Sequence, residues 1–276
     1  NKADLLNCDK EETGREIFVS TVAKTGIDKL KERLISLVGV RDIETPIISD
    51  LLHEGDAVVL VVPIDKAAPK GRLILPQQQT IREILEARAV AVVTDEKRLG
   101  KTLSLLNKEP VFIITDSQVF KEVAAIAPKH LKLTSFSVLM ARHKGILPAL
   151  TTGINAVKRL ADGDTVLIAE GCTHHRQCED IGTVKIPRWL KTFTRKDIHI
   201  ETSSGMTFPQ DLSPYSLVIH CGGCMLNEKE MKYRAKEAKR QLRPIVNYGI
   251  LIAYMNGILE RSAEAVPELA FLKEKL

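Results

Sequence analysis

The sequence lacks the features that would assign it to several specialised classes of protein. Among its 276 residues no apolar run approaches the roughly 18 residues needed to cross a bilayer. The N-terminus lacks the basic-then-apolar order of a secretory signal peptide, and the chain has no internal repeat or low-complexity segment. These absences exclude repeat architectures and predict a cytoplasmic protein without a membrane partner.

An excess of charge of one sign is also missing. The formal net charge is +5, and basic and acidic residues are interspersed along helical stretches such as 228–243. This mixture is typical of a solvated helix face rather than of a nucleic-acid surface. We therefore expect no nucleic acid among the partners.

Cysteine occurs at only five positions, and three of them lie in two short clusters. Cys172-Thr173-His174 follows the apolar run at 166–169, and His220-Cys221-Gly222-Gly223-Cys224 follows the apolar run at 217–219. Both runs are typical of buried strands. If both strands belong to one parallel sheet, their carboxyl ends lie at the same edge, and the two clusters converge.

The chemistry of these clusters indicates a metal site. Thiolates favour zinc, copper(I) or iron–sulfur clusters, and histidine is a ligand shared by zinc and iron. Gly222 and Gly223 allow a tight turn between the two thiolates and bring backbone N–H groups near sulfur. Three thiolates with a weaker fourth ligand favour an iron–sulfur cluster. Two other readings stay open, a structural zinc site and buried cysteines without a metal.

The fourth ligand is not fixed by the sequence. Cys178 is read as a spare thiol, because it lies six residues beyond Cys172 in a polar stretch. The candidates for the fourth position, or for a supporting position behind the ligands, are His174, His175, His220, Glu170 and Asp164.

The chain divides into three sections. Residues 1–40 hold a strand-like segment at 17–19 and an amphipathic helix at 26–38, and a linker follows with Pro46 as a breaker. Residues 45–130 alternate three apolar strands with helices, which predicts a small α/β unit with a parallel sheet. An exposed edge of such a sheet favours pairing with a second copy. Residues 131–276 contain the two motif strands, a helix at 228–241 and a final helix at 249–265.

The first section carries a nucleotide signal. Asn1, Lys2 and Asp4 match the Asn-Lys-x-Asp element of GTPases, in which the carboxylate accepts hydrogen bonds from the guanine edge. Ala23 and Lys24 match the Ser-Ala-Lys loop that follows this element, with Val22 in place of the usual serine. These five matching residues are the candidate nucleotide-binding residues.

On these motifs the chain resembles the (FeFe)-hydrogenase maturation GTPases of the HydF family. The most specific match is Cys172-x-His174 followed, after a long spacer, by His220-Cys221-x-x-Cys224. The resemblance implies a fold in which the C-terminal remnant of a P-loop GTPase domain, at 1–40, precedes two α/β domains. These are a small parallel-sheet dimerisation domain at 45–130 and a domain at 131–276 that binds an iron–sulfur cluster.

The resemblance also implies a function. It implies a 4Fe-4S cluster on Cys172, Cys221 and Cys224 with an exchangeable non-cysteine fourth ligand. It implies a homodimeric scaffold that receives a diiron precursor from radical-SAM maturases and passes it to the hydrogenase apoprotein. It implies GTP and Mg²⁺ in the intact protein.

One departure limits what the resemblance implies. The phosphate loop, the magnesium-binding residues and the switch regions of the family are absent from these 276 residues. We therefore expect these residues alone not to hydrolyse GTP, because nothing in them would stabilise charge on a transferring phosphoryl group. Two alternative functions remain: a zinc-stabilised interaction module regulated by an adjoining GTPase domain, and a GTP-regulated switch whose metal site is only structural.

Overall fold

A computed structural model describes residues 1–5, 16–38, 45–64, 71–171 and 180–274. The chain forms two compact units, Asn1–Glu44 and Thr45–Leu276. Among the described residues no helix is both long and apolar enough to span a membrane.

The first unit contains the predicted amphipathic helix, α1, at Ile27–Val38. The helix begins after Gly26, whose φ is +72° and whose position beside the Phe18 carbonyl leaves no room for a Cβ. The segment at 17–19 is not a strand, contrary to the sequence prediction. Instead, Ala3 N–H donates to the Val19 carbonyl at 3.0 Å, and an isolated antiparallel bridge joins Ser20 to Thr25.

The second unit begins with a four-stranded parallel sheet. Its strands are β1 (Ala57–Val61), β2 (Val90–Thr94), β3 (Phe112–Thr115) and β4 (Lys132–Ser135), in the order β2-β1-β3-β4. The connecting helices are α2 (Leu75–Glu86), α3 (Leu99–Leu105) and α4 (Phe120–Ile126). The central strands β1 and β3 are buried along almost their whole length, as expected for a parallel sheet with both faces covered.

A second parallel sheet of four strands follows. Its strands are β5 (Thr165–Ala169), β6 (His199–Ser203), β7 (Leu217–His220) and β8 (Ile245–Asn247), in the order β6-β5-β7-β8. The helices after the first sheet are α5 (Phe136–His143), α6 (Ile154–Val157), α7 (Ile186–Thr194), α8 (Glu228–Arg240), α9 (Tyr248–Met255) and α10 (Leu259–Ala265). Of these, α10 packs against β4 of the first sheet. The predicted α/β class with two parallel-sheet domains is confirmed.

Two predicted boundaries differ from the structure. The predicted dimerisation domain ended at residue 130, but β4 at Lys132–Ser135 pairs with β3 and completes the first sheet. The predicted single helix at 249–265 is divided into α9 and α10, because Gly257 adopts a φ of +68° between them. A left-handed residue of this kind ends a helix.

A buried arginine ties three distant segments of the second unit together. The Arg142 side chain is 3% exposed and donates to both carboxylate oxygens of Asp50 at 2.8 and 2.5 Å. It also donates to Glu268 at 2.8 Å and to the Pro46 carbonyl at 2.8 Å. One cation at the end of α5 therefore joins the residues just after the first unit to the C-terminal 3₁₀ helix, Pro267–Glu274.

Replacing this arginine is expected to weaken the second unit. For Arg142→Met we expect a loss of about 2–3 kcal/mol, below the roughly 3–5 kcal/mol of a fully buried pair. The reason is that Asp50 and Glu268 keep 40% and 30% side-chain exposure and rehydrate. The urea midpoint measures the change. The control Arg82→Met removes an exposed pair with Glu86 and should cost less than about 1 kcal/mol. Equal urea midpoints for Arg142→Met and Arg82→Met would contradict the stabilising role of Arg142.

Candidate metal centre

The second sheet brings the chain around both predicted cysteine clusters to one edge. β5 and β7 are adjacent, with Ala169 level with His220, and Cys221 N–H donates to the Ala169 carbonyl at 3.0 Å. Because parallel strands end at the same edge, Gly171 and Cys221 lie side by side just beyond the strands. Cys172 is the next residue in the sequence after Gly171.

Two backbone N–H groups donate to the sulfur of Cys221. The N···Sγ distances are 3.0 Å from Gly171 and 3.3 Å from Gly223. Gly223 has a φ of +63°, and a Cβ at this position would overlap the Met231 side chain. The prediction that the glycines of this loop bring N–H groups near sulfur is confirmed for Gly223. Hydrogen bonds of this kind favour the thiolate over the thiol.

The second described cysteine lies at the end of the same loop. Cys221 and Cys224 are both half-buried. Burial raises the pKa of the Cys224 thiol, whereas the nearby Lys144 ammonium and the backbone N–H of Met225 act to lower it. Two cysteines three residues apart are the spacing of a metal-binding Cys-x-x-Cys loop.

A buried lysine that the sequence did not single out reaches this loop. Lys144 directly follows α5 and is 8% exposed, and its Nζ donates to the Leu226 carbonyl. Burial lowers the pKa of Lys144, against the opposing charges of Cys224, Glu228 and Cys221. No local pattern marks this residue, because 82 positions separate Lys144 from Leu226 in the sequence.

His220 has partners on both ring nitrogens. It is completely buried, with Nδ1 2.8 Å from the Cys221 carbonyl and Nε2 3.2 Å from an Arg234 nitrogen. The carbonyl accepts and the guanidinium donates, so these partners assign the proton to Nδ1. Burial lowers the pKa of His220 to about 4, which keeps the ring neutral. Both ring nitrogens of His220 are therefore held by protein groups, and the ring contacts the carbonyl side of Cys221.

Arg234 holds His220 from α8 and was also missed by the sequence reasoning. Its side chain is 1% exposed and pairs with Glu230 at 2.8 Å. It also donates to the Gly205 carbonyl at 2.7 Å, and its guanidinium lies 5.0 Å from the centre of the Phe208 ring. Arg234 therefore links α8 to the end of β7 and to the segment after β6.

Glu170 lies at the same edge of the sheet as the cysteines. It follows β5 directly, is 2% exposed, and accepts a hydrogen bond from the Tyr248 hydroxyl at 3.3 Å. Burial raises the pKa of Tyr248, and the negative charges of Cys221 and Glu170 raise it further. Of the two carboxylate candidates for the fourth position, Glu170 is the one at the end of the sheet where Cys221 leaves β7.

Asp164 lies at the opposite edge, and its inclusion among the candidate ligands is wrong. It precedes β5, whose five residues span about 16 Å at roughly 3.3 Å per residue. Its carboxylate accepts from Ala161 N–H and Ser216 Oγ, both at 2.8 Å. There it lines a cleft of about 280 Å³ together with Arg159 and Arg243. The apolar run showed where the strand was, but Asp164 stands at its amino end.

Cys172 and His174, with His175 and Cys178, fall at 172–179, outside the described residues. Among the described ranges, no group of three or more histidine, cysteine, aspartate and glutamate side chains is arranged to hold a metal ion. The described structure therefore supplies two of the three predicted thiols and the residue that precedes the third.

The first unit brings the two predicted nucleotide elements together. Asn1 Oδ1 accepts from Thr21 N–H at 3.3 Å, and Asp4 accepts from the Ser20 hydroxyl. Ser20 Oγ also accepts from Ala23 N–H at 3.0 Å. Three of the candidates are therefore linked through this network, and Lys2 and Lys24 extend from it with exposed side chains.

Comparison with known families gives two matches. Residues 47–145 match the model described as the hydrogen maturase F dimerization domain. Residues 148–265 match the model described as the hydrogen maturase F tetramerization domain. Together the matches cover well over half of the chain. A search of curated proteins gave no significant match.

Adding one methyl group at Gly171 should disturb the sulfur site. An alanine Cβ there would lie 2.7 Å from Leu226 Cγ and 2.9 Å from Leu226 Cδ1, so either Leu226 or the Gly171 N–H must move. We expect Gly171→Ala to cost about 1–3 kcal/mol and to slow alkylation of Cys221, because a lost N–H donor disfavours the reactive thiolate. Thermal unfolding and peptide mass spectrometry measure these two effects.

Gly100→Ala is the matched control. The nearest atom to its added methyl group is Ile126 Cγ2 at 3.7 Å, and Gly100 lies in α3, where alanine is the better helix former. This variant should unfold at or above the parent temperature and leave Cys221 alkylation unchanged. The packing argument fails if Gly171→Ala behaves like this control.

Proposed function

We propose a function from the premise that the chain belongs to the hydrogen maturase F family. The proposed function is to hold a 4Fe-4S cluster on Cys172, Cys221 and Cys224, with a fourth position that exchanges. One observation carries the proposal. The N–H group of Gly171, the residue before Cys172, donates to the sulfur of Cys221 across two adjacent strands.

The residues at this edge fit such a cluster. Soft thiolates are the ligands of iron–sulfur clusters, and hydrogen bonds to the sulfurs tune them. Cys221 receives two such bonds. Glu170 and Asp180, which are 2% and 6% exposed, add anionic groups whose charge raises the pKa of Tyr248. A site with several buried anionic groups favours the binding of a cationic metal centre.

The side chains at this edge have different roles in the proposed site. The Cys221–Cys224 loop presents two thiols from the end of β7, and Cys172 supplies the third from beyond β5. His220 contacts the Cys221 carbonyl and is itself held by Arg234, and these contacts would orient the loop for the cluster. When bound, the cluster supplies an iron whose fourth ligand exchanges, and Glu170 and His174 are the candidates for that ligand.

The cargo and the partners are part of the same proposal. The exchanging position would accept a diiron precursor that radical-SAM maturases supply, and the loaded protein would pass it to the hydrogenase apoprotein. Membership of the hydrogen maturase F family supports this role. We also propose that Asn1, Lys2, Asp4, Ala23 and Lys24 contact guanine. Support comes from the Asp4–Ser20 and Asn1–Thr21 hydrogen bonds, which join the two elements.

Self-association has a structural basis in the first sheet. α10 packs against β4, and Arg261 donates to the Leu131 carbonyl next to that strand at 3.2 Å. The other edge strand, β2, has no partner on its outer side in the described part of the chain. Its Val90 and Val93 are 52% and 48% exposed. An open apolar edge of this kind pairs readily with a second copy.

Reconstitution of the cysteine variants tests the cluster assignment. After anaerobic treatment with iron and sulfide, the parent should hold about four irons and four sulfides per chain. Replacing Cys172, Cys221 or Cys224 by alanine should abolish this uptake, because each removes one thiolate. Glu170→Gln should keep the iron while changing the electron paramagnetic resonance spectrum of the reduced sample.

Cys178→Ala is the matched control and should retain iron and sulfide like the parent. Full iron in any of the three ligand variants would refute the three-thiolate assignment. A colourless parent with one tightly bound zinc would replace the cluster by a zinc-stabilised module, since zinc(II) has no visible absorption.

A charge on the open edge should weaken self-association. Lysine on an edge strand opposes pairing, so Val93→Lys should lower the mass measured by light scattering about twofold, as expected if a two-fold interface opens. Leu105→Lys replaces an exposed apolar residue at the end of α3 and should leave the mass unchanged. If Val93→Lys keeps the parent mass, the interface lies elsewhere.

A further inference from the structure

We propose that Lys144 is a positioning residue of the cysteine site, contributed by the region that matches the dimerization domain. The expected effects of Lys144 on a bound cluster rest on the proposed function. The expected effect on the loop of the metal-free chain does not. Lys144 falls within the match at 47–145, whereas Cys221 and Cys224 fall within the match at 148–265. The site would then be built from both matched regions.

The position of Lys144 is fixed at both ends of its side chain. Its backbone N–H donates to the Met140 carbonyl at 3.1 Å and so ends α5. Its Nζ donates to the Leu226 carbonyl, two residues beyond Cys224. Lys144 is 8% exposed, and burial of an ammonium group costs free energy, so it is retained where a specific contact or charge offsets that cost.

Leu226 passes this constraint to the other strand. Its side chain packs so closely on Gly171 that a Cβ there would come within 2.7 Å. Gly171 in turn donates its N–H to Cys221 Sγ at 3.0 Å. The contacts therefore run from Lys144 through Leu226 to Gly171 and Cys221, and they join both segments that carry the predicted ligands.

The same helix touches the loop at a second point. Gly222 lies against Ser137, so that an added Cβ would be 3.4 Å from the Ser137 hydroxyl. Ser137, in the first turn of α5, also accepts a hydrogen bond from Asn247 at 3.2 Å. The two ends of α5 thus support the cysteine loop from the same side.

The charge of Lys144 gives it a second effect. Its ammonium is close enough to Cys224, Glu228 and Cys221 for their charges to act on it. Glu228 already has a cationic partner in Lys232. The Lys144 charge therefore acts to a large extent on the two cysteines. A cation beside thiolate ligands stabilises the more negative, reduced state of a bound cluster, and its removal should shift the reduction potential downward.

The first test uses the full chain without metal. Lys144→Met keeps the aliphatic stem but removes the charge and the hydrogen bond, and its amide hydrogen exchange is compared with the parent by mass spectrometry. Loss of a bond to a charged group should speed exchange about tenfold or more in peptides that cover Gly171 and 221–226. Exchange in these peptides equal to the parent would overturn the proposal.

Two further variants make this result specific. Lys229→Met, an exposed lysine on α8, should leave exchange at the loop unchanged, and acceleration as large as in Lys144→Met would also overturn the proposal. Lys144→Gln retains a polar group and serves if Lys144→Met does not fold. For Lys144→Gln we expect the same accelerated amide exchange at Gly171. Exchange at the parent rate would contradict the proposal.

The second test uses the reconstituted protein. Lys144→Met should lose iron to a chelator about tenfold faster, in the range typical of residues that support metal ligands, and its reduction potential should lie below that of the parent. Unchanged iron loss and potential would overturn the effect on the cluster. If the parent itself binds no iron, the proposed function fails, whereas the exchange experiment still decides the positioning role of Lys144.

Discussion

The parallel pairing of β5 with β7 is the constraint on which the rest of the site depends. Because Ala169 stands level with His220, the next residues of both strands leave the sheet together, and Gly171 N–H reaches Cys221 Sγ. Main-chain bonds hold this register at both ends of the pair, from Ser216 N–H to the Thr165 carbonyl at 2.9 Å and from Cys221 N–H to the Ala169 carbonyl at 3.0 Å. These bonds between the two strands therefore fix the place of the sulfur.

Much of this arrangement follows from local sequence. The apolar runs of β1, β3, β5 and β7 mark buried strands, and placing the cysteines after two of them predicts their convergence. The same rule shows why Asp164 was misassigned, since it precedes the strand that Glu170 follows. The two polar edge strands, β4 and β6, were not predicted, because an edge strand needs few apolar residues. Their sequences are Lys-Leu-Thr-Ser and His-Ile-Glu-Thr-Ser.

The supporting residues could not be predicted, because each acts over a long separation. Lys144 and Leu226 are 82 positions apart, and Arg142 and Glu268 are 126 apart. A lysine or arginine on a mixed-charge helix normally indicates a solvated face, and most such residues here are exposed. Only the packing of α5 and α8 against the second sheet removes Lys144 and Arg234 from water, and only then do their charges require partners.

Burial then separates the two roles that histidine and carboxylate can take at this edge. Both ring nitrogens of His220 are held by protein groups, and burial keeps the ring neutral with a pKa of about 4. Glu170 is buried beside Tyr248 directly after β5, at the end of the sheet where Cys221 leaves β7. A buried carboxylate keeps its charge best when a cation is near, and a metal centre bound in the proposed function would supply one. The thiols, the neutral histidine and the buried carboxylate therefore take different parts in the proposed site.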